Sequence, residues 1–292
     1  MSEKPHLMNM SAGLASVGVA ATLVVLKLWA LGETHALSIA ASLADSAMDL
    51  MISLGGLAAI IYAARPADED HHFGHSSAED LAALGQALFI LVSAGVIFWA
   101  GLRRIVSDAP VQLMSEGRGM VVMAVSVVLT LGLVLWQRRV AARTGSRVVK
   151  ADQLHYLGDL LPNLGAILAL WASAQFGLQG VDSVVAMGAA VMLGVGAVNI
   201  GSGAWHALMD RSADPEIVAG IAEIARNWPG LYGFHDLQTR TAGSQLFINL
   251  HIELDGNQSL HDAHAIGAGL KRALIEAYPN AQVIIHKDPV RD

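Results

Sequence analysis

Six apolar runs of about 20 residues or more follow one another through the first two-thirds of the chain, each long enough to cross a hydrocarbon core about 30 Å thick. The pattern predicts membrane-spanning helices near 9–31, 37–63, 80–102, 117–138, 150–175 and 181–207. Gly32-Glu33-Thr34 separates the first pair and Gly177 to Gly180 the last. Two connections are polar: Arg65 to Glu79 is rich in His and Asp, and Arg138 to Lys150 holds five Lys/Arg.

Beyond Met209-Asp210-Arg211 the pattern changes to that of a water-soluble domain. Asp214-Pro215 opens a helix that runs to about Asn227 and stops at Trp228-Pro229-Gly230. Gly233 to Thr241 and Gln245 to Asp255 are strand-like and joined by a turn at Ala242-Gly243-Ser244. In the second strand Ile248, Leu250, Ile252 and Leu254 alternate with Asn249, His251, Glu253 and Asp255, which places His251 on the polar face. A helix over about 260–277 and a strand over Gln282 to His286 complete an αββαβ order. The expected organisation is a membrane domain, 1–209, and a separately folding tail, 210–292.

Composition agrees with a membrane location: 54% of residues are hydrophobic, 15% are charged and mean hydropathy is +0.49. The tail alone carries 11 Asp/Glu against 7 Lys/Arg. With no cysteine, any metal must be held by nitrogen and oxygen ligands. Met1 to Met8 has no cleavable signal pattern, so the first apolar run is expected to be retained. Lys4, Arg65, Arg138, Arg139, Arg143, Arg147 and Lys150 fall on one side of the six spans, against Arg103, Arg104 and Arg118 on the other. That bias makes both termini cytoplasmic. A net charge of −7 gives no reason to expect a nucleic-acid partner.

Against this apolar background two pairs of polar residues stand out, Asp45 and Asp49 in the second span and His155 and Asp159 in the fifth. An acid at the centre of a span costs about 2.5–3.5 kcal/mol, so such residues are functional candidates. Asp45 alone, beside Ser42 and Ser46, reads equally well as a satisfied polar residue. Two i, i+4 pairs that include a histidine favour a tetrahedral divalent-metal site, because each pair projects from one helix face. Three carboxylates and one imidazole suit Zn²⁺ and accept Cd²⁺, Fe²⁺ or Co²⁺. Protons compete with the metal for the same groups, as an exchanger requires.

Two further clusters have ligand chemistry. The loop Pro66 to His75 offers Asp68, His71 and His75 at short spacing, with Asp70 and His72 as spare ligands. The tail offers His235-Asp236, His251, His261, His264, His286 and Asp288, of which His286 and Asp288 are two apart on one strand and point the same way. A single histidine of this kind is more often a surface residue; five in 83 residues suggest a shared site.

The six spans, Asp45-xxx-Asp49, His155-xxx-Asp159 and the polar tail together resemble the cation diffusion facilitator family, in particular its bacterial zinc and iron efflux branch. The resemblance implies an α-helical membrane protein with six transmembrane helices and a cytoplasmic, ferredoxin-like α+β tail. It also implies metal-for-proton antiport by alternating access in a homodimer of the bacterial inner membrane, surrounded by lipid. By position, Asp45, Asp49, His155 and Asp159 become ligands of the transported ion. Asp68, His71 and His75 match the family's loop site through Phe73-Gly74-His75. His235, His251, His264, His286 and Asp288 match a binuclear tail site, whereas His261 matches nothing. The branch often has a lysine where this chain has Ser77, paired with an acid that is retained here as Asp210. Zn²⁺, with Cd²⁺, is the expected cargo and Fe²⁺ the alternative. An intramembrane metal hydrolase fits poorly because no HExxH motif is present, and a membrane-anchored sensor would leave the intramembrane residues unexplained.

Overall fold

The computed structural model describes residues 5–34, 37–107, 117–176 and 181–290, with side chains described outside 33–41, 104–105, 107–123 and 162–182. Lys4, the Gly177 to Gly180 connection and the side chains of Glu33, Thr34, Arg104 and Arg118 lie outside the described residues. The chain forms two compact units, 1–205 and 206–292.

The first unit consists of six long helices: α1 (Pro5–Thr34), α2 (Leu37–Ala63), α3 (Ser77–Ser107), α4 (Gly117–Thr144), α5 (Arg147–Phe176) and α6 (Val181–Leu208). Among the described residues, segments of α1, α2, α3, α4 and α6 are long and apolar enough to cross a bilayer. The helices outrun the apolar spans that announce them. Gly32-Glu33-Thr34, expected as an interruption, is the last turn of α1. The expected Arg138 to Lys150 connection shrinks to Gly145 and Ser146, because Arg138, Arg139 and Arg143 continue α4 while Arg147 already belongs to α5. Polar residues end an apolar span without ending the helix; the break comes at Gly145, whose φ of +72° is left-handed.

Large apolar side chains such as Val25, Met51, Val92, Trp99 and Val128 point away from this unit, as lipid contact demands. Its interior is correspondingly polar in places. Ser16 Oγ lies 2.8 Å from Ser53 Oγ, which lies 2.8 Å from the Tyr156 hydroxyl, linking α1, α2 and α5. Asn9 Nδ2 and Ser146 Oγ donate to the two oxygens of the buried Glu79 carboxylate, at 3.1 and 2.7 Å. Arg147 pairs with the fully buried Asp80 at 2.7 Å. Buried polar groups in a bilayer must find partners within the protein, and these bonds tie the starts of α1, α3 and α5 together.

The second unit has the expected αββαβ order: α7 (Pro215–Arg226), β1 (Gly233–Ala242), β2 (Gln245–Leu254), α8 (Leu260–Ala277) and β3 (Ala281–Pro289). β2 is central, antiparallel to β1 and parallel to β3. The β1–β2 hairpin closes over Gly243-Ser244, with Gly243 at φ +55°. Ile248, Leu250, Ile252 and Leu254 are buried against Ile221 of α7, Leu270 and Leu274 of α8, and Val283 of β3. One face of the sheet thereby seals the core and the other is free to carry polar chemistry. Ser259 caps α8 by accepting from the Asp262 N–H at 3.1 Å.

Candidate metal sites

Within the helical unit α2 and α5 bring their polar faces together. His155 Nε2 lies 3.1 Å from Asp49 Oδ1, and a ligand atom from each of Asp49, His155 and Asp159 falls within 4.8 Å of the others. His155 is buried, with its ring 5.9 Å from Phe89 and 5.5 Å from Tyr156. Aromatic walls on two sides limit the orientations of the imidazole. Two carboxylates and an imidazole gathered this closely can supply three nitrogen and oxygen ligands to one ion. Asp45, one turn before Asp49 on α2, is exposed and is not among the atoms gathered there.

Lys27 is a cation that the sequence reading passed over. Its Nζ donates to Ser46 Oγ at 2.7 Å and to the Ser42 carbonyl at 3.1 Å, on either side of Asp45, and it interacts electrostatically with Asp45, Asp49 and Asp159. Asp152 is a second such residue, buried one turn before His155 and hydrogen-bonded to Gln137. The signal was clear for Lys27, a lone charge inside an apolar run, whereas Asp152 lies among Lys150, Gln153 and His155 at the start of its span.

The loop between α2 and α3 folds back on Asp68. The carboxylate accepts from the His71 N–H at 2.7 Å and the Asp70 N–H at 3.1 Å, a local turn that leaves both its oxygens next to imidazoles. His71 Nδ1 is 3.1 Å from Oδ1 and His75 Nε2 is 3.3 Å from Oδ2. The His71 backbone N–H, with further help from the His71 and His75 rings, holds the Asp68 carboxyl below the usual carboxylate range. Gly74, at φ +80°, lets the chain turn so that His75 packs edge-on against Tyr62. Asp68, His71 and His75 are thus brought together, while Asp70 and His72 are exposed and outside the gathered atoms.

On the tail the polar sheet face carries a row of three imidazoles set by strand register. His235 of β1 opposes His251 of β2, which opposes His286 of β3. Ring centroids are 5.1 Å apart in the first pair and 4.6 Å in the second. Asp288 joins the row: its Oδ2 is 2.9 Å from His251 Nδ1 and 3.5 Å from His235 Nε2, and its Oδ1 is 3.3 Å from His286 Nε2. The hydrogen bond to His251, reinforced by the charges of the three histidines, holds Asp288 below the usual carboxylate range. Asp236, at φ +49° where the β1–β2 register shifts, brings its carboxylate 3.2 Å from His235.

Two overlapping triads result, His235/Asp236/His251 and His251/His286/Asp288. His264 and His261, both exposed on α8, belong to neither. Asp210 is at φ +54° and pairs with Arg240 at 3.0 Å.

Over residues 13–209 the sequence matches the cation efflux transmembrane domain, and over residues 213–290 the cytoplasmic domain of cation efflux proteins. It is 43% identical over 280 residues to the cation-efflux pump FieF of Shewanella oneidensis, covering 96% of this chain and 94% of that pump. The pump of the same name from Klebsiella pneumoniae is 39% identical over 278 residues, covering 95% and 92%. A solved metal-bound C-terminal domain of the CzcD transporter from Thermotoga maritima is 24% identical, with a TM-score of 0.25, and covers 26% of this chain and 91% of that one.

Proposed function

Because this chain belongs to the cation diffusion facilitator family, transporters and not enzymes, we propose that it exports Zn²⁺, and with it Cd²⁺, from the cytoplasm in exchange for protons. The observation that carries the reading is the grouping of Asp49, His155 and Asp159 between two long helices of a unit whose outer surface is apolar. Borderline imidazole and hard carboxylates favour the later divalent metals, with Fe²⁺ as the alternative cargo. Asp45 completes the transport set by closing towards Asp159 when the ion binds.

The cycle has four parts. The ion enters from the cytoplasm and displaces protons from the ligand set. The loaded helices rearrange, the ion leaves on the far side, and protons return. The protein works as a homodimer in the bacterial inner membrane with both termini cytoplasmic, in keeping with the excess of Lys/Arg on that side. Asp68, His71 and His75 form a loop site open to water. The tail ligands His235, His251, His286 and Asp288, with His264 supplied on dimerisation, bind regulatory metal and draw two tails together.

The test is uptake into sealed vesicles holding purified protein under an imposed pH gradient, with Zn²⁺, Cd²⁺, Fe²⁺ and Mn²⁺ in turn. Uptake that follows the gradient and ranks zinc above manganese supports the reading. Gradient-independent flux refutes the exchange, and equal manganese flux refutes the selectivity.

A further inference from the structure

The most deeply buried acid near the ligand set is not one of the ligands. Asp152, 6% exposed, sits on α5 one turn before His155, and its Oδ2 accepts from Gln137 Nε2 of α4 at 2.6 Å. Its Oδ1 and Gln137 Oε1 are buried acceptors that no donor among the described residues meets at full hydrogen-bond geometry, although the Ser16 hydroxyl lies beside the carboxylate. Both side chains line a small cavity that extends to Gly13 of α1 and to Ser53 and Gly56 of α2. On α3, Gln86 presses on the same place: a Cβ at Gly56 would stand 3.0 Å from its Nε2, and both its amide atoms are unsatisfied as well.

Acceptors buried without donors are costly, so hydrogen must be supplied from within the cavity. A proton on the Asp152 carboxyl supplies one such donor. The charged and titratable groups that face Asp152 are His155 and Tyr156 of its own helix and Asp49 of α2; α1, α3 and α4 present Ser16, Gln86 and Gln137. Among them only His155 can carry a positive charge, and that imidazole is already engaged with Asp49 at 3.1 Å. The hydroxyls of Ser16, Ser53 and Tyr156 join the cavity wall to the residue next to His155.

We propose that Asp152 is a proton-binding site of the carrier, separate from the metal ligands, and that it is emptied when a divalent ion occupies Asp49, His155 and Asp159. The assignment rests on the exchanger reading and adds to it a place for an exchanged proton. A dication about one helical turn away favours the ionised carboxylate, so the Asp152 O–H bond breaks and the proton is released to bulk water. When the ion leaves, the O–H bond forms again from water and the carboxylate is neutralised. Proton and metal are then coupled by charge through the protein, in addition to any direct competition at the ligands.

The experiment uses the full chain in detergent, carrying Asp68→Ala, His251→Ala and Asp288→Ala so that zinc is confined to the membrane ligands. Protons released per zinc bound are read with a pH indicator in weak buffer. Asp152→Asn is expected to bind zinc while releasing about one proton fewer, and Asp152→Glu to restore the release. Release unchanged by Asp152→Asn overturns the proposal alone; no release from the parent chain overturns the exchanger reading and the proposal with it. If Asp152→Asn does not fold, infrared difference spectra decide. The band of a protonated carboxyl that vanishes on zinc addition shifts in Asp152→Glu if the proton resides there, and its staying in place overturns the assignment.

Discussion

His155 Nε2 and Asp49 Oδ1 meet at 3.1 Å although 106 positions separate them in sequence. The contact joins the two polar pairs that interrupt apolar helices, and it sets the geometry on which transport is expected to depend. Asp49→Ala or Asp159→Ala removes a ligand from the set and should lower vesicle zinc flux on the order of 100-fold or more, since even groups that merely orient ligands cost about 10–100-fold. Size-exclusion chromatography should show the variants intact. Flux like that of the unmodified chain would remove the assignment.

The imidazole contributes selectivity. His155→Asp replaces a borderline ligand by a hard one and should raise Mn²⁺ uptake relative to Zn²⁺, with expression little changed. Competition between the two ions in the same vesicles measures the ratio. A ratio that does not move would mean that His155 does not select the cargo.

His251 belongs to both tail triads, whereas His286 belongs to one. In the 206–292 fragment, which has its own apolar core, His251→Ala should therefore abolish more zinc binding than His286→Ala. Isothermal calorimetry gives both stoichiometries. Equal losses would show that the two triads are not separate.

Asp288 makes the stability of the fragment depend on pH in a defined direction. Its folded pKa lies below the unfolded value, so its contribution is fully present above the ordinary carboxylate pKa of about 3.9 and is lost as pH falls through the lower folded value. Urea unfolding of the fragment and its Asp288→Asn variant should remain different from neutral pH down to about 5, and converge in stronger acid. A gap that closes already near neutral pH would contradict the assignment.

Leu250 is 1% exposed near the centre of β2, in a core that both helices of the tail help to form. Leu250→Ala should destabilise the fragment by about 2–5 kcal/mol, the usual range for such truncations. A change below about 1 kcal/mol, read by the same urea titration, would mean that the core repacks around the deletion.

The order of elements and the two polar pairs were legible in the sequence because each rests on a local rule. Apolar length gives the spans, and alternation in β2 gives the sheet and its buried face. Helix ends were less legible: Arg138 to Arg143 read as a loop because charge marks the edge of the membrane, yet α4 continues to Gly145. The tail triads depend on register between strands distant in sequence, which spacing does not report; Asp236 enters only because β1 is irregular beside His235. Lys27 shows the reverse, being visible as an isolated charge but lacking the repeated spacing that drew attention to Asp45, Asp49, His155 and Asp159, while Asp152 is hidden among the polar residues that begin its span.

The pairing of His251 with His286 on a parallel strand has a mechanical corollary. β3 is the last element of the chain and brings in both His286 and Asp288, so peeling it from β2 removes two ligands of one triad in a single motion. Metal bound to that triad would hold β3 against β2 and would have to leave before the strand opened. Opening of this sheet edge would then slow as metal is added, which amide hydrogen exchange along β3 would register.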